Sequence, residues 1–92
     1  MCRAFVDKDK LIEVGNNIRK WRNLKGIKQE MLADDLEISK VSISKIETGK
    51  TDIPLLRLFA IAAALDIQVQ LLFFDPQTII RNKIIENIST IN

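Results

Sequence analysis

Two short helical stretches, about 29–36 and 40–48, are separated by only Glu37-Ile38-Ser39, and no other feature of the chain constrains its fold as strongly. In the first stretch Met31, Leu32 and Leu36 are the inward residues. Ser39 is a good N-cap for the second, because its hydroxyl can accept an otherwise unpaired N–H of the first turn. On a helical wheel Ile43 and Ile46 face one way, while Val41, Ser44, Lys45 and Thr48 face the other. Gly49 closes the unit. A short helix held by its back on a three-residue turn presents its outer face.

The flanking sequence supplies the support. Val14, Ile18 and Trp21 recur at i, i+4, i+7 in a helix over about 10–25, which marks one buried face. Gly26 ends that helix, with Ile27 as the hydrophobic contact of its cap. Pro54 opens a fourth helix, to about 65, with Leu55, Leu58, Ile61, Ala62 and Leu65 as its core stripe. Its other positions are also apolar: Leu56, Ala60, Ala63 and Ala64, with Arg57 its only charge. A helix apolar nearly all round is normally covered on both sides.

Two segments can provide that cover. Residues 66–74 alternate like a strand at Ile67, Val69, Leu71 and Phe73, yet Val69, Leu72 and Phe73 also fit a short helix. Asp75-Pro76 then reads as N-cap and first residue of a last helix reaching about 91. Ile80, Ile84, Ile88 and Ile91 make a stripe along it, flanked by Ile85, that either closes this chain's own core or pairs two chains. The expected fold is all-α, a five-helix bundle plus a C-terminal amphipathic helix, with a short strand near 67–73 as the alternative. The expected division is an N-terminal arm over 1–9, a helical domain over 10–74 and the C-terminal helix over 75–92.

Residue types exclude much chemistry. The 92 residues hold one cysteine, Cys2, and no histidine, so no Cys/His metal site, Cys–His pair or Ser-His-Asp triad can be assembled. No paired carboxylates stand out. Neither an enzyme nor a cofactor is expected. The longest apolar run, 58–65, is far short of the roughly 20 residues of a membrane span. Residues 1–8 lack the apolar core of a signal peptide, and a cytoplasmic, nucleoid-associated protein is expected. Net charge is only +2, but residues 16–57 carry nine Lys/Arg against six Asp/Glu. That distribution mildly favours a polyanionic partner.

The ordered set Ile18-Arg19, Arg22, Gly26, Gln29-Glu30, Leu32-Ala33, Leu36, Ile38-Ser39, Ser42-Ile43-Ser44, Ile46-Glu47 and Gly49-Lys50 resembles the lambda-repressor-like, Cro-type (Xre-family) helix-turn-helix proteins. The resemblance spans about 18–73. It implies double-stranded DNA as partner and 40–48 as the helix that enters the major groove. With the wheel, it makes Lys40, Val41, Ser44 and Lys45 candidates for base contacts, lysine to guanine and valine to a thymine methyl. Lys28, Gln29, Ser42, Thr48 and Lys50 become candidates for phosphate contacts, which set register. The resemblance also implies a structural ion pair between Arg22 and Glu47. Ala33 lies where the two helices cross, and Trp21 is read as core rather than a stacking platform. Glu37 replaces the usual turn glycine, so a non-glycine residue is expected at positive φ, at roughly 1 kcal/mol. Lys28 stands where a Ser or Thr cap is common, and Asp52-Ile53 where relatives carry basic or polar groups.

The leading expectation is a homodimeric, sequence-specific transcriptional regulator, a repressor acting on an inverted repeat. Leu56, Ala60, Phe73, Ile80, Ile84 and Ile88 are its candidate dimer or core-closing residues. The alternatives are an antitoxin-type DNA-binding protein, whose C-terminal segment holds a toxin or other partner protein, and a helix-turn-helix fold used only for protein interaction.

Overall fold

The computed structural model describes residues 3–81, with side chains from Lys8 onward. Helix α1 spans Arg3–Leu24, α2 Gln29–Leu36, α3 Lys40–Glu47 and α4 Leu55–Ala64, followed by a 3-10 helix at Val69–Phe73. Helix α1 packs on α3 and on the 3-10 helix, α2 packs on α3 and α4, and α4 also meets the 3-10 helix. Ile18, Leu32, Ile43, Ile61, Leu65 and Leu72 are the large side chains wholly enclosed where these elements meet. They come from every element, which is why no helix of this small core is dispensable. Among the described residues no helix is long and apolar enough to cross a membrane, and no group of carboxylates and cysteine is placed to hold a metal ion.

Helices α1 to α4 all end in one way. Gly26, Glu37, Gly49 and Asp66 take φ of 70°, 56°, 72° and 58°. The next residue's amide then reaches back across the last turn: Ile27 to Arg22, Ile38 to Ala33, Lys50 to Lys45 and Ile67 to Ala62, at 2.9–3.1 Å. This 6→1 bond, with the 5→2 bond inside it, takes up carbonyls that a helix end leaves bare. At three of the four ends the reaching residue is an isoleucine that also packs against the core. The left-handed Glu37 expected from the sequence is therefore present, and Asp66 is a second, unforeseen case.

Four expectations need correction. Residues from Arg3 are already helical, so most of the proposed 1–9 arm belongs to α1; no proline or glycine stops the helix before Gly15. Met31 is exposed rather than inward. With Leu32, Ala33 and Leu36 on the buried side, the 100° step of the wheel carries Met31 to the far side. Leu55 is also exposed, in the first turn of α4 and on the flank of the stripe made by Leu58, Ile61, Ala62 and Leu65. Finally, the strand alternative for 67–73 gives way to the short helix that the same residues also fit, at Val69–Phe73.

The last correction has a through-space cause. Side chains of α1 supply donors for the carbonyls of this segment. Asn17 Nδ2 donates to the Leu72 carbonyl at 3.2 Å, and Trp21 Nε1 to those of Leu71 and Phe74 at 2.9 and 3.2 Å. Lys20 Nζ pairs with Asp75 Oδ2 at 2.6 Å. With its carbonyls met this way and Leu72 inserted into the core, the segment coils instead of seeking a strand partner. Asp75 Oδ1 accepts the Gln77 amide at 2.8 Å and caps a helical turn over residues 76–81, as expected. Ile84, Ile85, Ile88 and Ile91 lie outside the described residues.

Candidate nucleic-acid interface

The site begins with how α3 is held. Ser39, extended at φ −77° and ψ 156°, accepts the Ser42 amide with its hydroxyl at 3.1 Å and starts the helix. Ile43 and Ile46 are 1% and 2% exposed and fasten its back to α1 and α2. The C-terminal end of α3 then meets α1 backbone to backbone. A Cβ at Gly15 would run into the Ile46 carbonyl oxygen, and one at Gly49 would stand 2.7 Å from Ile12 Cα. Only glycine allows the helices to come this near.

An enclosed ion pair locks the same junction. Arg22 Nε donates to Glu47 Oε2 at 2.6 Å and Nη2 to Oε1 at 3.1 Å, with the two residues 8% and 4% exposed. Arg22 Nη1 also holds the Ile27 carbonyl at 2.7 Å, and Gln29 Nε2 donates to Glu47 Oε1 at 3.0 Å. The guanidinium thus joins the end of α1 and the turn after it to the end of α3, and Gln29 brings in the start of α2. Among the described residues no buried side-chain polar atom is left without a partner. Such a network fixes one arrangement of the helix pair, because any half-made alternative strands a charge out of water.

What remains free is the other side of α3. Lys40, Val41, Lys45 and Thr48 are exposed, with Val41 at 63%, and Ser42 and Ser44 are half-buried. Two of the candidates are partly committed. The Thr48 hydroxyl donates to the Ser44 carbonyl at 2.8 Å, and the Ser42 hydroxyl lies 3.0 Å from that of Ser39. Lys28 and Lys50 are exposed. At α2, Lys28 makes no side-chain cap, so the first-turn amides, which have no intrahelical acceptor, are not taken up by the cap residue either and carry a partial positive charge. Gln29 is half-buried, with its amide nitrogen spent on Glu47 and its backbone N–H at that helix start.

Of the pairing candidates, Leu56 is 81% exposed, Phe73 49% and Ile80 46%, and Ala60 is exposed as well. Ile84 and Ile88 lie outside the described residues. Lys20 and the Gln77 amide hold the Asp75 carboxyl below the ordinary aspartate range, the lysine contributing most. Gly15 and Asn17 escaped the sequence reading. Neither has a local signal, since what each does depends on a segment far along the chain. Arg57 was visible as the only charge of α4, and it lines a cleft shared with Ser42 and Lys45.

The profile of the helix-turn-helix family matches residues 18–72, more than half of the chain. None of the curated proteins compared matches it. Among solved structures, the chain is similar to the restriction-modification controller protein C.AhdI from Aeromonas hydrophila. That match has 30% identity and a TM-score of 0.67, over 70% of this chain and 97% of the controller protein. A hypothetical transcription factor, NHTF, from Neisseria matches at 28% identity and TM-score 0.70, over 82% of this chain and 86% of its own. The clp gene regulator ClgR from C. glutamicum shares the fold at 24% identity and TM-score 0.66, over 67% of this chain and 80% of its own. With the turn, the anchored α3 and the family profile coinciding, the chain belongs to the Xre/lambda-repressor-like helix-turn-helix family of DNA-binding transcription regulators.

Proposed function

We propose that this protein is a sequence-specific repressor that binds double-stranded DNA as a homodimer on an inverted repeat. The observation that carries the proposal is the two-sided character of α3: Ile43, Ile46 and Glu47 are buried, while Lys40, Val41 and Lys45 are exposed together. A helix so anchored can enter the major groove without disturbing the core. Lys40 and Lys45 reach guanine edges, Val41 meets a thymine methyl and Ser44 accepts from or donates to a base. Lys28, Lys50, Ser42, Thr48 and the Gln29 backbone amide take phosphates and set the register.

One recognition helix reads too few base pairs to pick a single site in a genome, and two-fold pairing doubles the reading. The exposed apolar residues Leu56, Ala60, Phe73 and Ile80 support a pairing surface, continued by the C-terminal segment, with the helical unit from Arg3 to Phe74 as the DNA-binding unit. Recognition helices of the pair would stand roughly 34 Å apart, one turn of DNA. No catalytic step or cofactor enters this reading, and it places the protein in the cytoplasm with the nucleoid.

Selection from a random-duplex pool, with sequencing of the bound fraction, tests it. A palindrome should be enriched, and log K should fall by about 0.9 per log unit of salt for each phosphate contacted. A flat salt response with no enriched sequence would leave the fold as an interaction module only. Sedimentation of the DNA-free protein checks the pairing.

A further inference from the structure

Beside α3 lies a cleft of about 350 Å³ walled by Ser42, Lys45, Thr51, Asp52, Pro54 and Arg57, with Ile46 behind them. A cleft of this size holds several waters and is large enough for a phosphate group. Two of its walls, Ser42 and Lys45, belong to α3, and Lys45 is one of the exposed residues of that helix, so the cleft adjoins its free side. Its charges are two cations and one carboxylate. Among the described residues, neither Arg57 nor Asp52 has a salt-bridge partner, although they share the cleft. The loop over 51–53 carries no cation of its own.

We propose that this cleft seats a backbone phosphate of bound DNA, and that Arg57, carried on α4 rather than on the helix-turn-helix, is the residue that grips it. The proposal rests on the DNA-binding reading of α3. A duplex lying along α3 brings one strand past Lys45, which also lines the cleft. The planar guanidinium suits a phosphate, whose two free oxygens accept its paired N–H groups. Asp52 on the rim opposes the same phosphate and tempers the grip. The only charge on an otherwise apolar helix thus has a task that neither the core nor the pairing surface assigns to it.

Binding of a random-sequence 30-base-pair duplex to the full chain, titrated over a range of salt, tests this with Arg57→Gln, Arg57→Lys and Asp52→Asn. Arg57→Gln should lower the salt slope by about 0.9, the value of one phosphate. Its affinity would then fall about 3.5-fold less than the wild type's between about 50 and 200 mM salt. Base preference in the pool selection should not change. Arg57→Lys should restore the slope, and Asp52→Asn should tighten binding at low salt. A wild-type slope that Arg57→Gln leaves intact overturns the phosphate seat alone. A wild type with no salt dependence overturns the DNA reading, and the seat with it. Unchanged melting temperatures for the variants separate loss of contact from loss of fold.

Discussion

Removing Glu47 should damage this protein more than removing Glu47 and Arg22 together. The carboxylate accepts three bonds, two from Arg22 and one from Gln29, at 2.6–3.1 Å in a site where the glutamate is 4% exposed. Glu47→Ala leaves the Arg22 guanidinium buried with only the Ile27 carbonyl for company. An uncompensated buried charge of this kind costs about 3–5 kcal/mol. In a domain of this size, whose whole stability is on the order of 5–14 kcal/mol, that is a large share. In the double variant Arg22→Met, Glu47→Leu no charge is stranded. The remaining losses are two part-buried bonds, to the Ile27 carbonyl and from Gln29 Nε2, at about 1 kcal/mol each, offset in part by added apolar packing. Urea denaturation followed by Trp21 fluorescence measures both, because Trp21 is buried against the 3-10 helix. With a slope of about 1.5 kcal/mol per molar urea, a 3 kcal/mol loss lowers the midpoint by about 2 M. The single variant should show that shift and the double variant a clearly smaller one. A Glu47→Ala midpoint within 0.5 M of wild type, at about that slope, would mean that the guanidinium escapes to water and the junction is not locked by charge. A double variant as unstable as the single would refute the reasoning equally.

Gly15→Ala should destabilise by about 1–3 kcal/mol through overpacking, although alanine favours a helix by about 1 kcal/mol, because the new methyl meets the Ile46 carbonyl. A raised melting temperature would disprove the close approach of α1 and α3. Lys45→Ala should relax base preference while stability stays within about 0.5 kcal/mol of wild type; marked unfolding would put Lys45 on the wrong side of α3. The Lys20–Asp75 pair should show in acid. Since the Asp75 carboxyl is held below its ordinary range, mainly by Lys20, its contribution is whole above pH about 4 and fades as pH falls through the lowered value. Lys20→Met should flatten that limb of a stability-against-pH curve, and an unchanged limb would assign it to other carboxylates.

Elements whose cause is local were legible in the chain itself. The apolar spacing of Ile18 and Trp21, of Ile43 and Ile46, and of Leu58, Ile61 and Leu65 marks the buried faces without help from any other segment. The Ser39 and Asp75 caps, the stop at Gly26 and the left-handed Glu37 needed only their neighbours, together with the family resemblance in the last case. Even so, a wheel cannot tell whether anything covers its flank, and Leu55 went to the wrong side for that reason, whereas Met31 lies opposite Leu32, Ala33 and Leu36 on the wheel itself.

What only the tertiary structure decided is whatever pairs residues far apart along the chain. Residues 67–73 have the alternation of a strand and coil instead because Asn17 and Trp21, some fifty positions earlier, take their carbonyls. Gly15 is an ordinary helical residue until α3 crosses it, and Arg57 an ordinary surface charge until the loop folds it into one cleft with Lys45. Periodicity and caps are set by forces acting over a turn or two of chain, and a sequence records them directly. Close approach, shared clefts and long-range hydrogen bonds exist only once the chain has brought distant residues together.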